Sequence, residues 1–390
     1  MDDLMRRIEE LTIPEEPGAE GWDDFAAAAE VHNAVEAAAY GTDELSVTAD
    51  EELPDWLDQE WDPRRLFVVR AADGSTPAGG GDALPADAEA DDAADTDVPR
   101  IVARGVCEFE GPGSKTAWLR ADVLPGHRNR GIGTALFTLL ESVAEAKGCV
   151  NQIVYAASPD APGERLVAPT GFGSLPLRNP EVRFLLRRGY RLEQVERGSR
   201  LTLPADRERV ERLLRVAEER AGRDYEIVQW HGVTPIRWQR DLARLYEKMS
   251  TDTPTAGLEE PAEPWPLDRF LERQVLLADG PRTVYTTAVV HRRSRALVGF
   301  TELSVPAETD RPINQEDTLV VREHRGHRLG LLLKCSNLES IRRDEPGHPS
   351  VITFNAEENR HMLAINEALG FEPFGYEGGW RRRTPESSGP

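Results

Sequence analysis

Hydrophobic positions along this chain follow two spacings that succeed one another in a fixed order. Residues 23–39 and 48–57 each open near a plausible cap and predict helices, and over 131–147 apolar residues recur every three to four positions, which predicts an amphipathic one. In the third of these, Ile132, Leu136, Leu139, Leu140 and Val143 form the stripe and Gly148 ends it. Short runs at 65–71, 100–109, 117–123 and 152–157 read as strands. A short helix at 180–188 and strands at 192–195 and 199–203 follow.

The same order then returns. Helices are predicted at 236–249 and 267–277, a hairpin at 283–291 and 296–305, a strand at 317–321 and a helix at 329–342. A strand at 351–354, a helix at 361–369 and strand-like residues before Trp380 complete it. Local alignment supports an internal repeat. His127-Arg-Asn-Arg-Gly-Ile-Gly133 falls on His324-Arg-Gly-His-Arg-Leu-Gly330, Gly105-Val-Cys-Glu108 on Gly299-Phe-Thr-Glu302, and the Gly-Tyr ending at Tyr190 on the Gly-Phe ending at Phe371. We therefore divide the chain into residues 1–204 and 205–390, with a linking helix over 206–221. The expected class is α/β, one unit used twice.

Charge changes the picture for the first quarter. The chain of 390 residues carries 69 Asp and Glu against 47 Lys and Arg, a formal charge of -22. Residues 1–64 hold 20 acids and 3 bases, residues 65–99 hold 8 and 2, and the remainder is close to neutral. Overall acidity repels phosphate backbones, so nucleic acid is not an expected partner and a cationic small molecule is. Residues 74–99 have no aromatic or basic residue and are expected to form a flexible acidic loop. No run of about 18 apolar residues predicts a membrane span. The first residues lack the apolar stretch of a signal peptide, and the expected location is cytoplasmic. Cys107, Cys149 and Cys335 are scattered, without disulfide or metal spacing, and no metal is expected.

Chemistry concentrates where a strand meets a helix, at Arg128-Asn-Arg-Gly-Ile-Gly-Thr134. Glycines there let a ligand approach the backbone, and the free N–H groups of the first helical turn face an anion with the helix dipole behind them. The glycine spacing is too short for a dinucleotide fingerprint, and no Gly-Lys-Ser/Thr follows as in a P-loop. The segment resembles the pyrophosphate loop of the GNAT superfamily of acyl-CoA-dependent N-acyltransferases, Arg/Gln-x-x-Gly-x-Gly/Ala, and both halves fit. The resemblance implies two tandem GNAT-like domains, each a mixed, mostly antiparallel sheet with a splayed central parallel pair and flanking helices.

Acetyl-CoA is the implied co-substrate. The implied contacts are Val123, Arg128, Asn129, Arg130, Gly131, Ile132, Gly133 and Thr134 in the first copy. In the second they are Val320, Arg325, Gly326, Arg328, Leu329, Gly330, Asn355 and Asn359. Two departures stand out: Arg328 replaces the middle glycine, and the tyrosine that many members place four residues before the Gly-Phe ending is Leu185 in one copy and Asn366 in the other. Glu108 and Glu302, at matching strand positions, are the candidate general bases, with Glu316 and Asp317 as further carboxylates beside the second cleft. Tyr155 is a stand-in for the missing acid.

The implied activity is acetyl transfer from acetyl-CoA to a primary amine of a small cationic molecule, by direct attack on the thioester, in a monomer or homodimer. A second reading, motivated by the missing tyrosines and Arg328, is a non-catalytic acyl-CoA-binding protein. A third has one domain as scaffold and the other as catalyst.

Overall fold

The computed structural model describes residues 2–71, 100–111 and 113–385; the segment expected as a flexible loop, 74–99, lies outside the described residues. The first half runs α1 (Asp2–Met5), β1 (Ile8–Leu11), α2 (Trp22–Tyr40), α3 (Ala49–Leu57), β2 (Arg64–Arg70), β3 (Ile101–Phe109) and β4 (Thr116–Val123). It continues with α4 (Ile132–Ala146), β5 (Asn151–Ala157), a small hairpin β6 (Arg165–Val167) and β7 (Ser174–Pro176), α5 (Pro180–Arg187) and β8 (Arg191–Thr202). After α6 (Arg207–Ala221) the order recurs as β9 (Tyr225–His231), α7 (Ile236–Asp252), α8 (Leu267–Asp279), β10 (Arg282–His291), β11 (Ala296–Pro306) and β12 (Ile313–Val320). The chain ends with α9 (Leu329–Asp344), β13 (Ser350–Ala356), α10 (Arg360–Leu369) and β14 (Glu372–Arg383).

Helix boundaries follow local chemistry. Thr48 and Glu51 form a reciprocal capping box at the start of α3, which satisfies two orphan amides. Asp206 caps α6 through the Arg209 amide, and Gly370 closes α10 in the left-handed region.

Twelve strands form one sheet, in the order β1-β2-β3-β4-β5-β14-β8-β13-β12-β11-β10-β9. The two halves are therefore continuous, and they exchange their last strands. β14, from the end of the chain, pairs antiparallel with β5 of the first half, while β8 pairs with β13 of the second. β14 and β8 also pair with each other. The cores follow the exchange: Trp380 of β14, fully buried, packs in the first core with Leu136, Leu140 and Tyr190. Leu201 of β8 packs in the second with Leu242, Phe270 and Phe300.

Local pattern and structure differ in a few places. The strands expected at 192–195 and 199–203 are one strand of 12 residues, β8. β12 starts at Ile313 rather than 317, because its opening Ile-Asn-Gln-Glu is too polar to read as a strand. β9 has no counterpart in the sequence pattern; it is a sheet edge that mixes partly buried and exposed residues.

Candidate functional site

In both halves the turn leading into the long helix repeats one backbone device. Asn129 (φ 60°) and Gly131 (φ 85°) in the first copy match Gly326 (φ 85°) and Arg328 (φ 57°) in the second. Two left-handed residues two apart turn successive amides inward, an anion-binding concavity at a helix N-terminus. Arg328 thus takes the conformation that a glycine takes in the first copy, which resolves the departure from the motif at the level of the backbone. The motif arginines brace the turn: Arg128 Nε donates to the Val123 carbonyl and Arg325 Nε to that of Val320, both at 3.0 Å. Arg130 donates to Gly126 O, and Arg325 also pairs with Asp252 at 2.9 Å. Ile132 and Leu329 are buried and seat the first helical turn in each core. Gly133 and Gly330 have close neighbours, Val123 and Ile365 respectively. Thr134 uses its carbonyl to accept from Thr138.

Beyond the turn the copies diverge. Both central parallel pairs splay: β4 and β5 stay in register only from Thr116↔Asn151 to Trp118↔Ile153, and β12 and β13 only over Ile313↔Val351 and Asn314↔Ile352. The second splay opens into a cavity of about 1060 Å³. It is lined by β12 from Asn314 to Val320, by Arg325 to Leu331, by Asn355 and Asn359, and by α10. Residues 44–46, from the loop between α2 and α3, close it from the first half. That loop is pinned by Glu44, which accepts from Arg200 and Ser350 at 2.6 and 2.9 Å, and by Arg311, which donates to Ser46 O.

A loop from the second half lies against the first parallel pair. Leu258, fully buried, reaches it from the loop between α7 and α8, and Asn151 Nδ2 donates to the Leu258 carbonyl at 3.0 Å. Tyr155 donates to Glu260 of the same loop at 2.8 Å. At the phosphate end the Leu4 side chain lies 3.2 Å from where a Cβ on Gly131 would stand. On β4, Asp122 binds Arg104, Arg120 and His32. Burial alone would raise its pKa, but these partners hold it well below the usual carboxylate range.

The carboxylates differ as sharply. Glu108, on β3, forms an ion pair with Arg64 at 3.0 Å. Glu302 is buried and accepts from Tyr246 at 2.8 Å and Thr286 at 2.9 Å. Burial pushes its pKa up against those two hydrogen bonds. Opposite Glu302 the β11–β12 register slips: Thr301 pairs with Thr318 and Leu303 with Gln315, so Glu316 and Asp317 bulge out of the ladder. The Gln315 side chain replaces the missing ladder bond by donating to Glu302 O at 2.7 Å. β3 and β4 keep continuous register over the matching stretch. A bulge re-aims side chains and frees backbone amides. Glu316 and Asp317 both face the cavity, and burial, with the charges of Glu302 and Glu316, pushes Asp317 up to about 7.

Two more features complete the second cleft. Asn359 caps α10 through the Met362 amide, and Asn355 accepts from Asn366 at 2.7 Å. Asn366, the residue in place of a tyrosine, is therefore buried and directed at Asn355. Lys334, on α9 beyond the turn, is 2% exposed, lines the cavity and has no ion pair or hydrogen bond among the described residues. Burial pushes it down to about 7. No periodicity argument reaches Lys334, since it occupies a position that reads as core; the signal for it was only its rarity, as one of four lysines. Among the described residues no group of three or more His, Cys, Asp or Glu is placed to hold a metal ion. No helix among them is long and apolar enough to cross a membrane.

Residues 37–172 match the acetyltransferase (GNAT) family model. Among solved structures, a tandem GNAT protein from the clavulanic acid biosynthesis pathway, solved without acetyl-CoA, superimposes with a TM-score of 0.64 at 23% identity, covering 97% of this chain and 99% of that one. A GCN5-related N-acetyltransferase from Sphaerobacter thermophilus does so with a TM-score of 0.56 at 16% identity, covering 97% and 96%. No curated protein sequence matches the chain.

Proposed function

From the premise that this chain is a tandem protein of the GNAT fold, we propose that it is an acyl-CoA-dependent N-acyltransferase working in the second cleft, with Asp317 as general base. The observation that carries this reading is the coincidence, in one half only, of an open splay, a strand bulge and a carboxylate that titrates near neutrality. The first half, whose β5 is engaged by Leu258 and Glu260 of the other half, is then a scaffold that supplies the 44–46 loop.

The donor fits the residues present. The concavity at Gly326–Arg328 and the dipole of α9 suit a diphosphate, and an anion beside Lys334 would favour the charged form that burial disfavours. The splayed edges of β12 and β13 offer unpaired backbone groups to the pantetheine amides. Bound acetyl-CoA supplies an acyl group activated as a thioester. Asp317, ionised above about pH 7, takes the proton of the attacking amine. Amides left out of the ladder at the bulge are the donors we assign to the negative charge that develops on the carbonyl oxygen. The proton on Asp317 then returns through water to the departing thiolate, since neither Leu185 nor Asn366 can supply one. Glu302 keeps the bulge in shape through Tyr246 and Thr286.

The acceptor is a small cationic amine, because Glu316, Asp317 and Glu196 all line the cavity. Thiol release from acetyl-CoA with a panel of primary amines tests the reading. Turnover that disappears in Asp317→Asn while CoA still binds by isothermal titration supports it; absence of CoA binding to the intact protein refutes it.

A further inference from the structure

Glu196 of β8 lines the same cavity on the side away from β12, and it has no hydrogen bond or ion pair among the described residues. Its direct partner across β14 is another acid, Glu377. Glu260 and Glu358 also act on it, and the charges that bear on it are all carboxylates. The neighbours are already engaged. Glu377 accepts from Tyr40, Glu260 from Tyr155, and Glu358 from Gln194 at 2.6 Å, which leaves Glu358 Oε2 buried without a partner. Glu36, which acts on Glu377, is bound by Arg120. Burial and the neighbouring acids push Glu196 up to about 8 and Glu377, chiefly by burial, to about 7.

A carboxylate set in a wall of carboxylates is costly unless protonated or met by a cation. Among the described residues no side-chain cation pairs with Glu196, and its cavity-facing position opens it to a cationic ligand that would take the place of the proton. Beside it stands an aromatic trio. Tyr40, Phe354 and Phe374 have ring centroids 5.7 to 5.8 Å apart, and Phe354 lines the cavity. Such rings suit an alkyl chain and the flank of an ammonium group.

We propose that Glu196, backed by Glu377, is a second ammonium site within the acceptor cavity, so that the acceptor is a di- or polyamine held at one end while the other end reacts. This rests on the acyltransferase reading for the reacting end alone. Glu196 lies opposite Ala356 of β13, and β13 neighbours β12, which carries Asp317. Two strand spacings of ~4.8 Å each, widened by the splay, separate the two carboxylates. The two nitrogens are thus joined by a chain of several carbons rather than one or two. An ammonium group arriving at Glu196 displaces its proton, so binding at neutral pH releases a proton to buffer.

The test compares 1,5-diaminopentane with pentylamine, equal in chain length but differing by one charge, by isothermal titration of the full chain with CoA present. In two buffers of different ionisation enthalpy, the diamine is expected to bind about tenfold tighter than pentylamine and to release a proton as it binds. Glu196→Gln is expected to bring the two ligands within about threefold and to abolish the proton release, with its thermal melt as a check on folding. Asp317→Asn, which leaves Glu196 intact, is expected to keep proton release on diamine binding. Equal binding of the two amines to the unmodified chain overturns the proposal, as does a Glu196→Gln variant that melts normally and keeps the preference. Diamine preference without thiol release from any amine refutes the acyltransferase reading and leaves this site standing. Turnover of monoamines with no diamine preference does the reverse.

Discussion

Replacing Asp317 by asparagine should slow the chain and stabilise it at once. Asp317 sits on a strand bulge beside Glu302 and Glu316, where burial and those two charges move its pKa from 3.8 to about 7. At about 1.4 kcal/mol per pH unit between the two values, ionising it in the folded chain costs up to ~4 kcal/mol. Cavity water screens part of this, so asparagine should gain on the order of 1–4 kcal/mol at pH 8, about 1–5 °C in Tm for a chain of this length. The sign depends on pH. A raised carboxyl pKa means the folded chain holds the proton more tightly, so its destabilisation is absent near pH 4 and builds as pH rises toward about 7. The gap in Tm between Asp317→Asn and the parent should open over that window and stay constant above it. In thiol-release assays kcat should fall by about 10²–10⁴, with CoA affinity unchanged. In the parent chain kcat/KM should drop about tenfold per unit below pH 7. A variant that retains activity within about threefold, or that melts lower than the parent at pH 8, refutes the assignment.

Three other outcomes follow from the same geometry. Gly330→Glu, beside Ile365 in the second turn, should weaken CoA binding at least about tenfold, whereas Gly133→Glu at the matching place in the first half should leave it unchanged; titration of both variants decides which cleft holds the donor. Glu302→Ala strands the Tyr246 and Thr286 hydroxyls in the core and should cost ~2–5 kcal/mol in denaturant unfolding, while Glu302→Gln should stay within ~1 kcal/mol and keep most activity. A large loss of activity in a well-folded Glu302→Gln would return Glu302 to the role of base. Trp380→Ala removes the largest fully buried side chain from the first core, although it lies near the chain's end, and should cost ~3–5 kcal/mol. Unchanged stability of that variant would contradict the strand exchange.

Much of the fold was legible because it is local. The stripe from Ile132 to Val143 specifies a helix by spacing alone, and the structure has one over Ile132–Ala146. Left-handed conformations at Gly131 and Gly326 follow from the absence of a Cβ, and the repeat is visible because the same turn chemistry recurs in the same order. Even the departure at Arg328 was readable as a position, though not its backbone angle. The general base we propose, Asp317, was legible only as one of four candidate carboxylates. Glu108 and Glu302 match each other by strand position, yet an arginine on the neighbouring strand takes one and a tyrosine from α7 holds the other. Those partners lie 44 and 56 residues away.

The sequence by itself determined that one strand-and-helix unit occurs twice, with an anion-binding turn in each, because spacing, capping and turn residues act over a few positions. Only the tertiary structure decided how the copies differ. Exchange of β8 and β14 depends on which strand edges meet, and the contact of Leu258 with Asn151 depends on a loop from the other half. The bulge at Glu316–Asp317 is a matter of register between strands. The N-terminal excess of acid, visible from composition, acquired its place the same way. Glu44 reaches the cavity and Glu51 anchors Arg282 and Arg311, because β-strand pairing sets the two halves edge to edge. These are contacts between residues far apart in sequence, and their energies depend on burial and pairing that no local pattern encodes.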